Sequence, residues 1–254
     1  MKTNKDLYDL SSSAIRFKDY IEDSEIYITC WEGNSIKIYN LFYNKCIKEI
    51  ISKTSCNVKF CNIFEDKYFI FCGCNMQDNY TCANCIDLND LNYDIINDHN
   101  VPFIKYYDRS CENKENVFFN FIIYESIYYN TKYLIICDEK GFLRIFNFEN
   151  QLLIKKITLT KTGILNTILL LKRKYLLITQ KNTGSVLMMK IRDKEKGFNV
   201  IEEKIFNLFN NKIISLRKYD IENNELLLAL GKNKIEKEGF EKEEEIIDFF
   251  NIHG

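Results

Sequence analysis

The chain has 254 residues, with 35 Lys and Arg against 36 Asp and Glu for a formal net charge of -1, and it is 46% hydrophobic and 28% charged. Near-neutrality argues against a broad electrostatic footprint on nucleic acid or anionic lipid, where clustered basic charge supplies most of the attraction, and the apolar content excludes bulk disorder. The opening residues contain no apolar signal segment, and no stretch approaches the roughly 18 apolar residues of a spanning helix. The expectation is an intracellular protein, cytoplasmic or nuclear, that neither inserts into a membrane nor binds nucleic acid.

Along the chain, short apolar runs recur, each preceded by one predicted strand and followed by another. The first set has a strand at 13–20, the run 25–30 (EIYITC), a polar turn, a strand ending in Tyr39, Asn40 and Leu41, and a charged strand at 44–50. The second has a strand at 57–64, the run 67–72 (KYFIFC) and a strand ending in Ile86, Asp87 and Leu88. The third has 117–124, the run 132–137 (KYLIIC), an ending at Phe146, Asn147 and Phe148, and a charged strand at 151–157. The fourth has 164–171, the run 174–179 (KYLLIT) and an ending at Met189, Lys190 and Ile191. The fifth has 212–219, the weaker run 225–230 (ELLLAL) and an ending at Phe250, Asn251 and Ile252.

These runs are too brief for helices, and their β-branched and aromatic content between polar residues suits strands covered on both faces. The Lys and Glu interrupting 44–50 and 151–157 fit exposed sheet edges, where charge discourages pairing with another chain. The runs start near 26, 68, 133, 175 and 226, so successive separations are about 42, 65, 42 and 51 residues, against roughly 40 to 45 for a four-stranded propeller blade. The excess predicts insertions at about 90–115 and 232–245. The second of these carries the charged run 236–245, expected as a disordered or partly helical excursion.

Residues 32–41 (EGNSIKIYNL) and 139–148 (EKGFLRIFNF) resemble the turn and third strand of the WD40 repeat family, with Tyr39-Asn40 and Phe146-Asn147 where the family signature has Trp-Asp. The resemblance spans about 13–252. It implies an all-β, WD40-like β-propeller of about five four-stranded blades, read as one domain over 1–254 with blades near 13–50, 56–97, 116–160, 163–206 and 212–254. No Gly-His dipeptide occurs, and the sole Trp, Trp31, is off the signature position. The family's Asp, His, Ser and Trp network therefore cannot form as such, and cohesion is expected mainly from apolar packing between blades. The fifth blade lacks a fourth strand; residues 5–12 would close the ring in the manner common to the family, or a partner would complete it.

Ten Cys without a signal peptide are expected as reduced thiols. Cys72, Cys74, Cys82 and Cys85 have the numbers of a zinc site, but they lie on predicted strands where residues three apart face opposite ways, so small buried thiols are the preferred reading and no cofactor or metal is expected. No phosphate-cradling Gly loop or nucleophile elbow occurs, and His99 and His253 lie in polar segments. No enzymatic activity is expected. The basic stretches 172–174 and 190–196 read as solvated turns.

Phe103, Tyr106, Tyr107 and Arg109 cluster in the first insertion, and aromatics with Arg are enriched where interfaces concentrate energy. Together with Trp31 they are the candidate partner-binding residues, against the competing reading that the rings pack the insertion onto its own blade. The resemblance implies a scaffold for protein partners within a larger assembly. Two other readings stay open: a structural subunit whose incomplete ring a partner completes, and a cysteine-based metal module.

Overall fold

The computed structural model describes residues 12–17, 25–30, 33–40, 45–65, 67–75, 82–92, 97–98, 104–107, 118–138, 140–159, 165–180, 183–194, 197–221, 224–237 and 240–252. All secondary structure among the described residues is strand and turn. The chain divides into two compact units, Met1–Asn120 with Asn150–Leu153, and Phe121–Glu149 with Ile154–Gly254.

The first unit holds β1 (Ser12–Phe17), β2 (Glu25–Cys30), β3 (Gly33–Asn40), β4 (Lys45–Phe64), β5 (Tyr68–Asn75), β6 (Cys82–Asp87), β7 (Asn97–Asp98) and β8 (Ile104–Tyr107). They form one sheet in the order β1-β2-β3-β4-β5-β6-β8, with β7 on β4. Two predicted quartets are joined because the strands expected at 44–50 and 57–64 are one 20-residue strand. Neither Pro nor Gly interrupts that segment, and register shifts beside Gly33 and Val58 turn the pairing from β3 to β5.

Two expectations change here. Residues 104–107, assigned to an insertion, give the second quartet its fourth strand by pairing β8 with β6. The strand at 44–50 is not an open edge, since β7 pairs with it at Glu49 and Ile50. Lys48, expected in water, is fully buried, and its ammonium donates to the Asn92 carbonyl at 2.6 Å. Ile36, Ile38, Ile50, Phe69, Phe71 and Ile86 belong to the apolar core of this unit.

The second unit holds three sheets. The first has β9 (Phe118–Glu125), β10 (Lys132–Asp138), β11 (Phe142–Asn147) and β12 (Leu153–Thr158), and the second has β13 (Leu165–Leu171), β14 (Tyr175–Gln180), β15 (Ser185–Lys194) and β16 (Gly197–Asn207). The last sheet has β17 (Lys212–Ile221), β18 (Asn224–Lys237) and β19 (Phe240–Ile252). Within each sheet sequential strands pair antiparallel, and the charged strand β12 lies at an edge, as its sequence predicts.

Strand β14 shows why the runs are apolar throughout instead of alternating. Leu176 and Ile178 pack with Ile135, Cys137 and Leu143 of the β9–β12 sheet, whereas Leu177 packs with Phe209, Ile213 and Ala229 on the β17–β19 side. Each face of the strand has its own neighbour, so both must be apolar. Burying side chains of this size contributes about 1.5 to 3 kcal/mol each, enough to hold the sheets face to face.

Apolar packing is not the sole cohesion. Asp138 and Arg144 form an ion pair across the β10–β11 turn with both side chains wholly buried. The other oxygen of Asp138 accepts from the Lys140 and Phe142 amides at 3.0 and 2.8 Å. Gly141 takes the turn's positive φ of 81°. This buried pair fixes a turn that the sequence left without a polar network.

The charged run 236–245 is also unlike its expectation, its described residues being strand. The β18–β19 ladder runs unbroken from Glu225 opposite Ile252 to Lys237 opposite Phe240. Lys232 stands opposite Glu245 and Lys234 opposite Glu243, and the Lys232 ammonium lies 3.1 Å from Glu243 and 3.4 Å from Glu245. Opposite charges across the ladder and the lack of Pro let the ribbon extend beyond the core.

Candidate interaction surfaces

Of the candidate partner-binding residues, Trp31, Phe103 and Arg109 lie outside the described residues. Tyr106 is entirely buried, on β8 opposite Ala83, so its ring packs the added strand onto its own sheet instead of facing a partner. Tyr107, opposite Cys82, is half-buried. The described residues therefore bring only Tyr107 of the set to the surface.

Cys72 and Cys85 are buried, and the side chains of Cys74 and Cys82 lie outside the described residues. The β5–β6 ladder runs regularly from Tyr68 opposite Asp87 to Gly73 opposite Cys82, with no knuckle between them. Burial, and secondarily the Asp87 carboxylate, push the Cys85 thiol up to about 12. A metal-ligating thiol is displaced the other way, toward thiolate. Among the described residues no three His, Cys, Asp or Glu side chains converge.

The last sheet presents a surface that the sequence did not single out. One face, with Ile213, Leu216, Leu227 and Ala229, is covered by the β13–β16 sheet. On the other, a shallow cleft of about 270 Å³ is lined by Ser215, Arg217, Tyr219, Leu228, Leu230 and Ile247. Cross-strand register sets Phe249 beside Leu228 and Ile247 beside Leu230, and these two side chains are 68% and 60% exposed. An apolar row this exposed, rimmed by Arg217 and the charged ribbon, has the composition of a contact surface. Strand β19 is also an edge, because no fourth strand pairs with it among the described residues. The sequence signal was the doublets Ile246-Ile247 and Phe249-Phe250, since adjacent apolar residues on a strand make both faces apolar.

No protein-family model matches the sequence, and no curated protein does. Among solved structures the chain is similar to the Cps50 (Swd1) β-propeller domain of Myceliophteria thermophila, with a TM-score of 0.58 at 11% identity, over 93% of this chain and 73% of that one. The class that the sheets and this likeness define is the all-β propeller. More particularly, the second unit holds two four-stranded antiparallel sheets whose strands follow in sequential order, as blades of a propeller do.

Proposed function

We propose that the protein is a non-enzymatic protein-interaction scaffold within a larger intracellular assembly, and that it is a divergent WD40 repeat protein forming one domain over 1–254. The observation that carries this reading is the open face of the last sheet, where Ile247 and Phe249 stand exposed beside Leu228 and Leu230. A rigid sheet can hold such a row in water without rearranging, and a partner that covers it gains the burial energy. The name of the similar structure supplies only the fold. Comparing co-purified proteins between the native chain and an Ile247→Ser/Phe249→Ser variant by quantitative mass spectrometry tests the proposal. The variant loses specific partners while its thermal unfolding stays within a few degrees of the parent, and an unchanged partner set refutes the assignment of this face. A single cooperative unfolding transition followed by tryptophan fluorescence and far-ultraviolet circular dichroism supports one domain; separate transitions for the two probes refute it.

A second reading is favoured by one observation, that the last sheet has three strands among the described residues, with β19 at its edge. Here the protein is a structural subunit whose blade a partner's strand completes, by main-chain hydrogen bonds along β19. The two readings separate on purification of the chain alone. A soluble monomer favours the self-sufficient scaffold, and association relieved by co-expression with a partner favours the completed blade.

A further inference from the structure

The open face of the last sheet holds a cation that the fold leaves without an anion. On β17, Leu216 and Lys218 stand opposite Ala229 and Leu227 on the covered face, and Arg217 between them turns to the open face, opposite Leu228. Lys218 lies 3.2 Å from Glu225, and Lys232 lies 3.1 Å from Glu243 and 3.4 Å from Glu245. Arg217 is exposed and has no hydrogen bond or ion pair among the described residues. Glu245 shares its face but stands two strands across and, opposite Lys232, four residues along β18 from Leu228. At about 3.4 Å per residue and about 4.8 Å per strand, the two backbones are roughly 17 Å apart, twice the Debye length of about 8 Å at physiological salt.

Arg217 lines the cleft between the hydroxyl-bearing Ser215 and Tyr219, beside Leu228, Leu230 and Ile247. A guanidinium so placed takes a carboxylate in two parallel hydrogen bonds, and the leucines and isoleucine take an apolar side chain. The sheet sets the spacing between the two. Leu230 is the diagonal neighbour of Arg217, about 7 to 8 Å away, and side chains two residues apart on an extended chain share a face at about 7 Å. Phosphate suits the cleft less, because phosphate sites gather several cations and Arg217 is the only one lining it among the described residues. A small amphipathic acid also suits it less: sites for such ligands enclose them, and this cleft is shallow, with its apolar row running on to Phe249.

We propose that the cleft docks an extended acidic segment of a partner protein, in which a carboxylate pairs with Arg217 and an apolar side chain two residues away seats on Leu228, Leu230 and Ile247. The inference rests on the reading of this face as a contact surface and adds the chemistry of what covers it.

Selection of a random-peptide display library on the purified protein tests this. Enriched peptides are expected to carry Asp or Glu two residues from a large apolar residue, and selection on Arg217→Glu to replace that acid with Lys or Arg. A synthetic peptide of the enriched sequence, followed by fluorescence anisotropy, should bind at least about tenfold more weakly to Arg217→Glu, and its binding to the parent should weaken as salt rises. Arg217 is exposed and unpaired among the described residues, so the variant keeps the parent's unfolding midpoint, which is measured to confirm it. No enrichment, enrichment without acidic preference, or affinity unchanged in Arg217→Glu overturns the proposal. If the enriched peptides ignore Arg217 but lose binding to Ile247→Ser/Phe249→Ser, the contact face stands and its acidic specificity falls. Decanoate that binds the parent and not Arg217→Glu, when no peptide is enriched, overturns the assignment to a protein segment.

Discussion

Replacing Arg144 with methionine would leave the Asp138 carboxylate buried without its counter-ion. Both side chains have zero exposure, so water cannot compensate the charge. Removing one partner of a buried pair ordinarily costs about 3 to 5 kcal/mol. Asp138 keeps two amide donors at 3.0 and 2.8 Å, which points to the lower end, about 3 kcal/mol. Methionine approximates the volume of the arginine stem, so little of the loss comes from a cavity. For a chain of this size the midpoint should fall by roughly 6 to 12 °C, at about 2 to 4 °C per kcal/mol. The Asp138→Asn/Arg144→Met double variant has no buried charge, and the asparagine oxygen can still accept the two turn amides. It should be more stable than the Arg144→Met single variant, with a coupling energy of at least about 2 kcal/mol in a urea-denaturation cycle. A cost below about 1 kcal/mol for Arg144→Met, or strict additivity in the cycle, would refute the view that this pair holds the turn.

Three further outcomes are expected. Thr179 is buried with its hydroxyl unpartnered among the described residues, so Thr179→Val should raise the unfolding free energy by about 1 kcal/mol, read as a higher denaturation midpoint at an unchanged slope. A Cβ at Gly184 would lie 1.8 Å from the Phe209 carbonyl oxygen, and no side chain can give way there, so Gly184→Ala should cost about 3 kcal/mol or more in the same assay. Burial raises the Cys85 thiol from 9.0 to about 12, so the unfolded chain loses this proton first. The stabilisation is intact below pH 9 and lost as pH rises from 9 toward 12, and Cys85→Ala should flatten that decline in a stability profile.

The apolar runs were legible because burial on both faces leaves no room for polar residues. Thus 132–137 and 174–179 were read as strands, and β10 and β14 sit there with buried centres. Lys48 and Arg144 were not legible. Alternation normally reports which side of a strand is wet, but β11 is buried at four successive positions, so period two carries no message and a charged residue reads as surface. Only the fold brings Asp138 across the turn from Arg144 and the Asn92 carbonyl onto Lys48. Strand β8 escaped for another reason: four residues are too few to show a period, and their place is set by the free edge of β6. The fold class depended on the long runs, whereas the candidate interface depended on a short insertion, where local pattern is weakest.

The formal net charge of -1 is a sum over 254 residues, and recognition samples a few of them at one place. Within the second unit the signs are segregated along the sequence into structural elements: β19 concentrates Glu241, Glu243, Glu244, Glu245 and Asp248, while the turn after β13 concentrates Lys172, Arg173 and Lys174. Opposite charges spread evenly would screen one another within a Debye length, and gathered on separate hairpins they do not. The acidic ribbon meets Lys232 across its own ladder and is partly neutralised by the fold.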